Sequence, residues 1–364
     1  MEAESMEGNT KPRLDSHPGA TTSLFTDDLI LEILSRLPAR SLHRFKCVSV
    51  PWRDLIADPA NRNKLPQTLA GFLYFTTDES GHRHHFASVS GGAAPFDLCL
   101  QPNKYKYMAQ VGSCNGLLLY RCCNKRMTSW AGGDSRFVVC NPATRRWVEL
   151  PPQPQVPANR YCRIAGLAFD PAISSRFRVL SFEETYVENH MTAVSIYSSH
   201  TGAWSCKEVA LVEKVTLFFC SKCIFVGGMM YVIGSTRYIN EYVMVVVGVD
   251  MEGKVWETIR VPYGSRFGSI GSSQGCLHYA IASVDDNNRV LFSEIEIWCL
   301  KDCDSKELVR NHTASICKLM SMTGKKYLVV EFHPDCDTIF LVSSGGDTYL
   351  GSVRYATSES WLYH

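Results

Sequence analysis

Long hydrophobic segments are missing from this chain of 364 residues. The most apolar stretch, Val243 to Val249, has the length of one buried strand, whereas a membrane-spanning helix needs about 20 apolar residues. Residues 1–22 lack the apolar core of a secretory signal, and their composition predicts a disordered leader. We therefore expect no membrane partner and a cytoplasmic or nuclear location.

An excess of one charge is also missing, because 37 Lys and Arg residues balance 36 Asp and Glu residues. The whole chain therefore gives no electrostatic reason to bind nucleic acid or a membrane surface. A local surplus does occur between Arg36 and Lys64, where seven cationic residues accompany two acidic ones. Nucleic-acid binding would also require exposed aromatic residues between those cations, and the stretch lacks them. We expect no nucleic-acid partner.

Signatures of catalysis are absent from the sequence as well. It contains no H-E-x-x-H zinc motif, no phosphate-binding P-loop and no G-x-G-x-x-G dinucleotide fingerprint. No pattern pairs a nucleophile with a base. The sequence therefore predicts no catalytic residue and no cofactor.

Cysteine is plentiful, but its pattern does not predict a metal site. Cys220 and Cys223 form the only C-x-x-C, and a zinc site would need a second pair of ligands. His82, His84 and His85 could supply it, although clustered histidines are common in a glycine-flanked loop, and the pattern favours that structural role. We expect no bound metal.

The remaining cysteines are expected to be reduced. Their total of fifteen is odd, and no export signal accompanies them, so a disulfide framework is not favoured. The adjacent pair Cys122-Cys123 is predicted to pack inside a strand.

The strongest helical pattern lies between Leu24 and Ile56. Five apolar residues recur at helical spacing and predict one broad stripe: Leu29, Ile30, Ile33, Leu34 and Leu37. Thr26 can cap this helix and Pro38 stops it. A second short helix is predicted after Ser41, and a third after Ser49, with Pro51 in its first turn and Asp58 at its end.

Three helices in about 35 residues cannot enclose all of these large side chains, because so small a bundle has too much surface for its volume. Some apolar surface must stay open. It could pack on the following domain, or it could be a docking surface for a partner, and the second interpretation is the more specific one.

The stretch resembles the F-box. The matching positions are Leu24, Asp27 or Asp28, Leu29, Glu32, Ile33, Leu34, Arg36, Leu37, Pro38, Ser41, Leu42, Arg44, Phe45, Val48, Ser49, Trp52, Leu55 and Ile56. Phe25-Thr26 and Val50-Pro51 depart from the family pattern. The resemblance implies a Skp-type adaptor of a cullin-RING ubiquitin ligase as partner. The residues implied to bind the adaptor, or to support that surface, are Leu24, Leu29, Ile33, Leu34, Leu37, Pro38, Leu42, Val48 and Trp52.

From Gly71 onward the sequence is typical of short strands separated by turns. The predicted strands include Gly71 to Thr77, His84 to Val89, Phe96 to Leu100, Gly116 to Arg121, Arg136 to Asn141, Trp147 to Leu150, Ile164 to Phe169, Arg178 to Glu183 and Ala193 to Ser198. The pattern continues to Tyr363.

A repeat of about 50 residues runs through this region. Trp147, Trp204 and Trp256 are 57 and 52 residues apart, and Trp361 comes another 105 residues later. That period is typical of four-stranded propeller blades, and six blades fit the available length. The regular spacing indicates core packing of these tryptophans, although ligand platforms are the alternative. The sequence thus predicts a small all-α domain at residues 23–64, followed by an all-β propeller at 68–364.

The propeller region resembles kelch blades and, more closely, the F-box-associated domains of plant F-box proteins. The motifs that carry the resemblance are Ser113 to Leu118, Asn141 to Pro151 and Phe169 to Pro171, and Phe332-His333-Pro334 is an echo of the last. The resemblance implies a non-catalytic substrate receptor of an SCF (Skp–cullin–F-box) ligase, with a target protein held on the propeller. The alternatives are an F-box scaffold outside a ligase and a propeller enzyme, for example a copper oxidase.

Three segments are predicted to form the recognition surface, because rigid scaffolds present variable loop tips. They are Asn103 to Tyr107, Glu184 to Asn189 and Asp285 to Arg289. The sequence leaves open which rim of the propeller they occupy.

Overall fold

The computed structural model describes residues 25–37, 42, 45, 48–58, 61, 65, 71–78, 81–88, 105, 107–123, 135–142, 144–154, 157, 159–171, 173–218, 221–238, 241–264, 266–300, 306–334, 336–343, 349–357 and 359–363. The chain divides into two compact units, Met1–Pro66 and Gln67–His364. The predicted leader, residues 1–22, lies outside the described residues. Among the described helices, none has both the length and the apolarity needed to cross a membrane.

The first unit contains helices α1 (Asp27–Ser35) and α2 (Val50–Ala57). Both predicted caps are confirmed: the Leu29 amide donates to the Thr26 hydroxyl at 3.4 Å, and the Trp52 amide to the Ser49 hydroxyl at 3.3 Å. Their core consists of Ile30, Leu31, Leu34, Leu42, Ile56 and Leu65. Most of the second predicted helix lies outside the described residues.

The second unit is built from antiparallel sheets, as the strand pattern predicts. Sheet 1 contains β3 (Tyr107–Cys114), β4 (Leu117–Cys123), β5 (Arg136–Asn141) and β6 (Arg146–Glu149). Sheet 2 contains β7 (Arg160–Phe169), β8 (Phe177–Thr185), β9 (Met191–Ser198) and β10 (Ala203–Glu208).

Sheet 3 contains β11 (Val215–Leu217), β12 (Cys223–Val226), β13 (Met229–Tyr238), β14 (Glu241–Asp250) and β15 (Trp256–Arg260). Two short strands form its inner edge, because β11 and β12 pair with different halves of β13. Sheet 4 contains β16 (Ser269–Ser273), β17 (Cys276–Val284), β18 (Val290–Leu300) and β19 (Leu308–Ser315). Helix α3 (Cys317–Thr323) comes next, and sheet 5 contains β20 (Tyr327–Phe332), β21 (Thr338–Ser343), β22 (Leu350–Arg354) and β23 (Glu359–Tyr363).

The innermost strands of the five sheets contact one another in the order β3, β7, β12, β16 and β20, which is the arrangement of a propeller. A hairpin of β1 (Gly71–Asp78) and β2 (Gly81–Ser88) lies between sheets 5 and 1. Phe72 contacts Phe340 of sheet 5 with ring centroids 4.5 Å apart, and Leu73 packs on the core of sheet 1.

The prediction of six blades is therefore wrong, and the structure has five. The described residues before Tyr107 supply only the β1–β2 hairpin, so the sixth position lacks a four-stranded sheet in the part of the chain that the structure describes. The predicted strand Phe96 to Leu100 lies outside those residues. Chain length alone overestimated the blade count because it assigned a full blade to this segment.

The glycine-led motifs of the repeat are the tight turns between the first and second strands of three sheets. Positive φ angles occur at both residues of Asn115-Gly116 (45° and 83°), Gly227-Gly228 (60° and 80°) and Gln274-Gly275 (50° and 75°). Two consecutive positive φ angles define a type I′ turn, whose twist matches that of the strands it joins. The repeated glycines are thus explained by the positive φ angles that these turns require.

Two other motifs join neighbouring sheets. The Asn115 side-chain amide of sheet 1 donates to the Phe169 carbonyl of sheet 2 at 2.7 Å. In the same way, the Gln274 side chain of sheet 4 donates to the Asp337 carboxylate of sheet 5 at 2.9 Å, and the Ser273 hydroxyl donates to the His333 carbonyl at 2.7 Å. The Phe169-Asp170-Pro171 motif and the Phe332-His333-Pro334 motif therefore each accept a hydrogen bond from the turn region of the preceding sheet.

Local departures from the predicted strands are also clear. The sequence pattern did not predict β3 or helix α3. His82 was expected in a loop and His84 to Val89 in a strand, whereas strand β2 begins earlier, at Gly81, and includes all three histidines. Strand β3 escaped prediction because Tyr107 to Cys114 contains small and polar residues where an inner strand approaches its neighbour.

Gly166→Ala is expected to destabilise the propeller by about 1–3 kcal/mol, because the inner strand of sheet 2 approaches sheet 3 too closely for a methyl group. A Cβ at Gly166 would lie 2.5 Å from the Cys223 Cβ and 2.7 Å from the Met230 sulfur. At Gly112, in the inner strand of sheet 1, the nearest atom would be at 3.8 Å. Gly112→Ala is the matched control. Equal midpoints of thermal unfolding for the two variants would contradict this account.

Candidate functional site

Helix α1 has two apolar faces, and only one is covered. Ile30, Leu31 and Leu34 are buried in the helical core. Leu29 and Ile33, one turn apart, are 45% and 43% exposed. The prediction of a single apolar stripe is thus corrected. Ile30 and Leu34 of that stripe pack in the core together with Leu31, whereas Leu29 and Ile33 face solvent.

Further exposed apolar residues precede and begin helix α2. Val48 and Val50 are each 59% exposed. Trp52 is half-buried and packs against Phe45 with ring centroids 5.3 Å apart. The start of α2 therefore combines a supported aromatic ring with two open aliphatic side chains.

The nine residues predicted to bind the adaptor fall into distinct positions. Leu29, Ile33 and Val48 are exposed, Leu37 and Trp52 are half-buried, and Leu34 and Leu42 are buried, so these last two can only support the surface from beneath. Leu24 and Pro38 lie outside the described residues. The structure thus separates residues that could touch a partner from residues that hold the helices together.

The basic surplus of this region is described only in part. Arg36 pairs with Glu32 one turn away on α1, and Arg53 pairs with Asp54 at 3.0 Å. Both pairs are well exposed, so each contributes little to stability. The other five cations of the surplus lie outside the described residues.

The strand order assigns each propeller loop to one of two rims. We call the end of the ring that carries the Asn115-Gly116 turn the turn rim, and the opposite end the loop rim. Because the strands of each sheet alternate in direction, the β8–β9 and β17–β18 connections both lie at the loop rim. Strand β3 begins there at Tyr107. The described residues Tyr107, Glu184 to Asn189 and Asp285 to Arg289 of the three predicted recognition segments therefore share one rim, which the sequence could not show.

The β8–β9 loop is fixed at its base and open at its tip. The Tyr161 hydroxyl donates to the Asn189 side chain at 3.2 Å, and Glu188 pairs with Lys214. Tyr186 stacks against Tyr161 at 4.8 Å, whereas Val187 is fully presented to solvent. This loop offers an ordered apolar tip.

The β17–β18 loop is held by its own first residue. The Asp285 carboxylate accepts from the backbone amides of Asn287 at 3.0 Å and Arg289 at 2.7 Å. Asn288 has a φ of 60°, which a short polar side chain tolerates. The loop is a capped turn with a defined shape.

The tryptophans of the repeat lie in the outermost strands of sheets 1, 2, 3 and 5. Trp204 lies 5.9 Å from Phe137 and 5.5 Å from Tyr197, and its indole donates to the Pro151 carbonyl at 2.9 Å. Trp147 packs on Tyr120, at 5.6 Å. These contacts confirm the packing interpretation for both residues.

The described cysteines are free thiols, and most of them lie in strands, whereas Cys317 begins helix α3. Burial raises the pKa of the Cys223 thiol to about 12 and that of Cys122 to about 12. Cys223 belongs to the core between sheets 2 and 3, and Cys220 lies outside the described residues. No cluster of three metal-binding side chains occurs in the part of the chain that the structure describes.

Exposed aromatic side chains at the loop rim were not evident from the sequence. Tyr186, Tyr238, Tyr242, Phe267 and Phe292 all lie at or next to strand ends on that rim. Their positions along the sequence show no common motif. Only the alternating strand directions bring them to one surface.

Two family matches cover almost all of these features. Residues 23–64 match the F-box domain, and residues 65–355 match the family described as "F-box protein At3g26010-like, beta-propeller". The chain belongs to the F-box proteins with a β-propeller domain. This agrees with the two resemblances found in the sequence.

This F-box protein has relatives of similar length in Arabidopsis thaliana. It is 25% identical to F-box protein At5g49610 over 338 residues, which are 89% of this chain and 86% of that protein. It is 22% identical to putative F-box protein At1g47790, with 95% and 82% covered. Among solved structures, an acylaminoacyl peptidase of Pyrococcus horikoshii matches at 13% identity with a TM-score of 0.40, over 68% of this chain and 38% of that chain.

Leu34→Ala is expected to destabilise the helical core by about 2–5 kcal/mol, because it leaves a cavity beneath α1. Leu29→Ala, the matched control one turn earlier, should change stability by no more than about 0.5 kcal/mol. Hydrogen exchange of the α1 amides, followed by mass spectrometry on the whole chain, measures both. Equal exchange rates in the two variants would show that the faces of α1 are wrongly assigned.

Alkylation with iodoacetamide should label Cys317 well before Cys223 or Cys122. Cys317 is exposed, whereas burial raises the pKa of the other two thiols and leaves little of the reactive thiolate. Peptide mapping of the native chain checks the order. Prompt labelling of Cys223 would contradict its place in the core, and labelling in denaturant shows that the peptides can be detected.

Proposed function

We propose that this F-box protein is the substrate-recognition subunit of an SCF ubiquitin ligase. Its helices dock on a Skp-type adaptor, and its propeller holds a target protein. The observation that carries the proposal is the exposure of four apolar side chains, Leu29, Ile33, Val48 and Val50, in a helical unit whose other described apolar residues form a core. Exposed aliphatic side chains on a small ordered unit favour a protein partner.

The mechanism is proximity. A receptor that holds its target beside a ubiquitin-loaded ligase raises the effective concentration of the target's lysines and needs no catalytic group of its own. Buried, high-pKa thiols such as Cys223 fit this role, because a nucleophilic cysteine requires a lowered pKa. We therefore propose a non-catalytic subunit that works in the cytoplasm or nucleus.

An F-box scaffold outside a ligase is the other proposal consistent with the same adaptor face. The two proposals differ in the assembly that forms once the adaptor is bound, since only the ligase subunit must join a cullin. Reconstitution with adaptor, cullin and RING protein distinguishes them, because a scaffold would be left out of the complete complex.

Leu29→Asp and Ile33→Asp are each expected to weaken capture of a recombinant Skp-type adaptor by about 100-fold or more, because each buries a charge against an apolar partner. Both side chains are exposed, so the substitutions should spare the helical core. Titration by isothermal calorimetry measures the affinity. Leu34→Asp would be a poorer test, because Leu34 is fully buried and its loss would unfold the unit.

Val212→Asp is the matched control for these variants. Val212 is also exposed and apolar, but it belongs to the propeller. It should leave adaptor affinity unchanged. Wild-type affinity in both helix variants would refute the proposed adaptor face.

A further inference from the structure

We propose that the loop rim over sheets 3, 4 and 5 binds an acidic segment of the target protein. This inference rests on the proposed receptor function, since it specifies what the propeller recognises. The surface consists of cations stacked on aromatic rings, and we call it the cation–aromatic arc. Its four pairs are Arg260 on Tyr238, Arg266 on Tyr263, Lys326 on Phe292 and Lys325 on Tyr349.

The first step is that these pairs lie at one rim. Tyr238 ends β13 and Arg260 ends β15, while Phe292 lies near the start of β18 and Tyr349 directly precedes β22. In antiparallel sheets that start from the same inner position, all four of these strand ends point the same way. The remaining members lie in the connections between sheets 3 and 4 and between sheets 4 and 5, which also cross the loop rim.

The second step is the geometry of the pairs. The cation lies 5.6 Å from the ring centroid for Arg260, 5.3 Å for Arg266, 5.0 Å for Lys325 and 3.9 Å for Lys326. All are within the range of about 6 Å in which a cation is attracted to a ring face. A guanidinium stacked by its face keeps its N–H edge for a carboxylate, which applies to Arg260. Arg266 already donates to the Ala282 carbonyl, so it contributes positive charge beside the Tyr263 ring.

The third step concerns the aromatic residues beside them. Tyr238 is 54% exposed and Tyr242 is 65% exposed, although both belong to regular strands. Phe267 is exposed as well, and its ring is held edge-to-face against Phe218 at 5.3 Å. Tyrosine, phenylalanine and arginine are enriched at the centres of protein interfaces, and fixed side chains lose little entropy on binding.

The fourth step is the charge of this sector. Its cations are Arg237, Arg260, Arg266, Arg289, Lys318, Lys325 and Lys326, and its acids among the described residues are Glu241, Asp285, Asp286, Glu294 and the buried Glu296, which accepts from the Tyr263 hydroxyl. Asp285 already accepts two backbone amides of its own loop. Arg260 contacts no carboxylate among the residues that the structure describes. The surplus of cations favours an acidic ligand by electrostatic complementarity.

An acidic polypeptide fits this surface better than a single-stranded nucleic acid. Bases need open ring faces on which to stack, whereas the rings of the arc have a face covered by their cations. Glu241, Asp286 and Glu294 would also repel a continuous phosphate backbone, while the carboxylates of a peptide can be spaced between them. We therefore infer a polypeptide with several Asp or Glu residues.

The test measures binding of a fluorescently labelled poly(Glu,Tyr) copolymer to the full chain by fluorescence anisotropy. Arg260→Glu and Lys326→Glu are each expected to weaken binding by about fivefold or more, and added salt should weaken it further. Lys254→Glu is the matched control. It makes the same charge change on an exposed side chain of sheet 3, but at the turn rim, and should change affinity by less than about twofold.

Several outcomes would overturn the inference. They are equal binding by Arg260→Glu and Lys254→Glu, equal binding of a poly(Lys,Tyr) copolymer, and preferential binding of an oligouridylate that the arc variants abolish, which would indicate a nucleic-acid surface instead. Arg260→Gln, which removes the charge without reversing it, should give an intermediate loss if Arg260→Glu does not fold. Thermal unfolding of each variant checks its folding.

Adaptor capture measured on the same samples separates this inference from the receptor proposal. Arc variants should bind the adaptor normally, and Leu29→Asp should bind the copolymer normally. Lost adaptor binding with intact copolymer binding refutes only the ligase role, and the reverse result refutes only the acidic-segment inference.

Discussion

The close approach of the inner strands is the constraint on which the rest of the propeller depends. Gly166 lies against Cys223 and Met230, and Gly271 lies against the Phe332 ring, with no room for a methyl group at either glycine. Small residues at these points let neighbouring sheets share one core instead of exposing two apolar faces. Lys222 then crosses from sheet 3 to Glu331 of sheet 5, at 2.8 Å. A ring packed in this way carries its loops on a stiff base.

A buried carboxylate in sheet 4 extends this rigid packing to the loop rim. Glu296 is buried in the third strand of sheet 4 and accepts both from the Ser283 hydroxyl at 3.1 Å and from the Trp298 indole at 3.1 Å. It also accepts from the Tyr263 hydroxyl at 2.8 Å. Burial and this acceptor raise the pKa of Tyr263, so the phenol stays protonated and continues to donate. Because Arg266 stacks on the same ring, one buried acid fixes a member of the surface arc.

Sequence and structure agree where the determinant is local. The caps at Thr26 and Ser49 and the type I′ turn at Asn115-Gly116 each depend on a few adjacent residues, and each was predictable or left a visible motif. The family resemblance supplied the order of the domains. The prediction that failed concerned a non-local feature, the number of blades, because chain length does not show which residues pair into a full sheet. The surface arc was not predicted, because its members come from three sheets. Which face of α1 is buried was also not predictable, because it depends on residues elsewhere in the chain that pack against the helix.

The two faces of α1 show why composition could indicate a docking surface but could not delimit it. A helix that served only its own core would gain nothing from a second row of large aliphatic residues, because exposing Leu29 and Ile33 forgoes their hydrophobic stabilisation. The core face and the open face share one backbone, so the buried Leu34 positions Ile33 without contacting any ligand of that face. In the proposed adaptor complex, residues that bind and residues that position would therefore alternate along a single turn. A consensus assigns both to the same function, and only burial tells them apart.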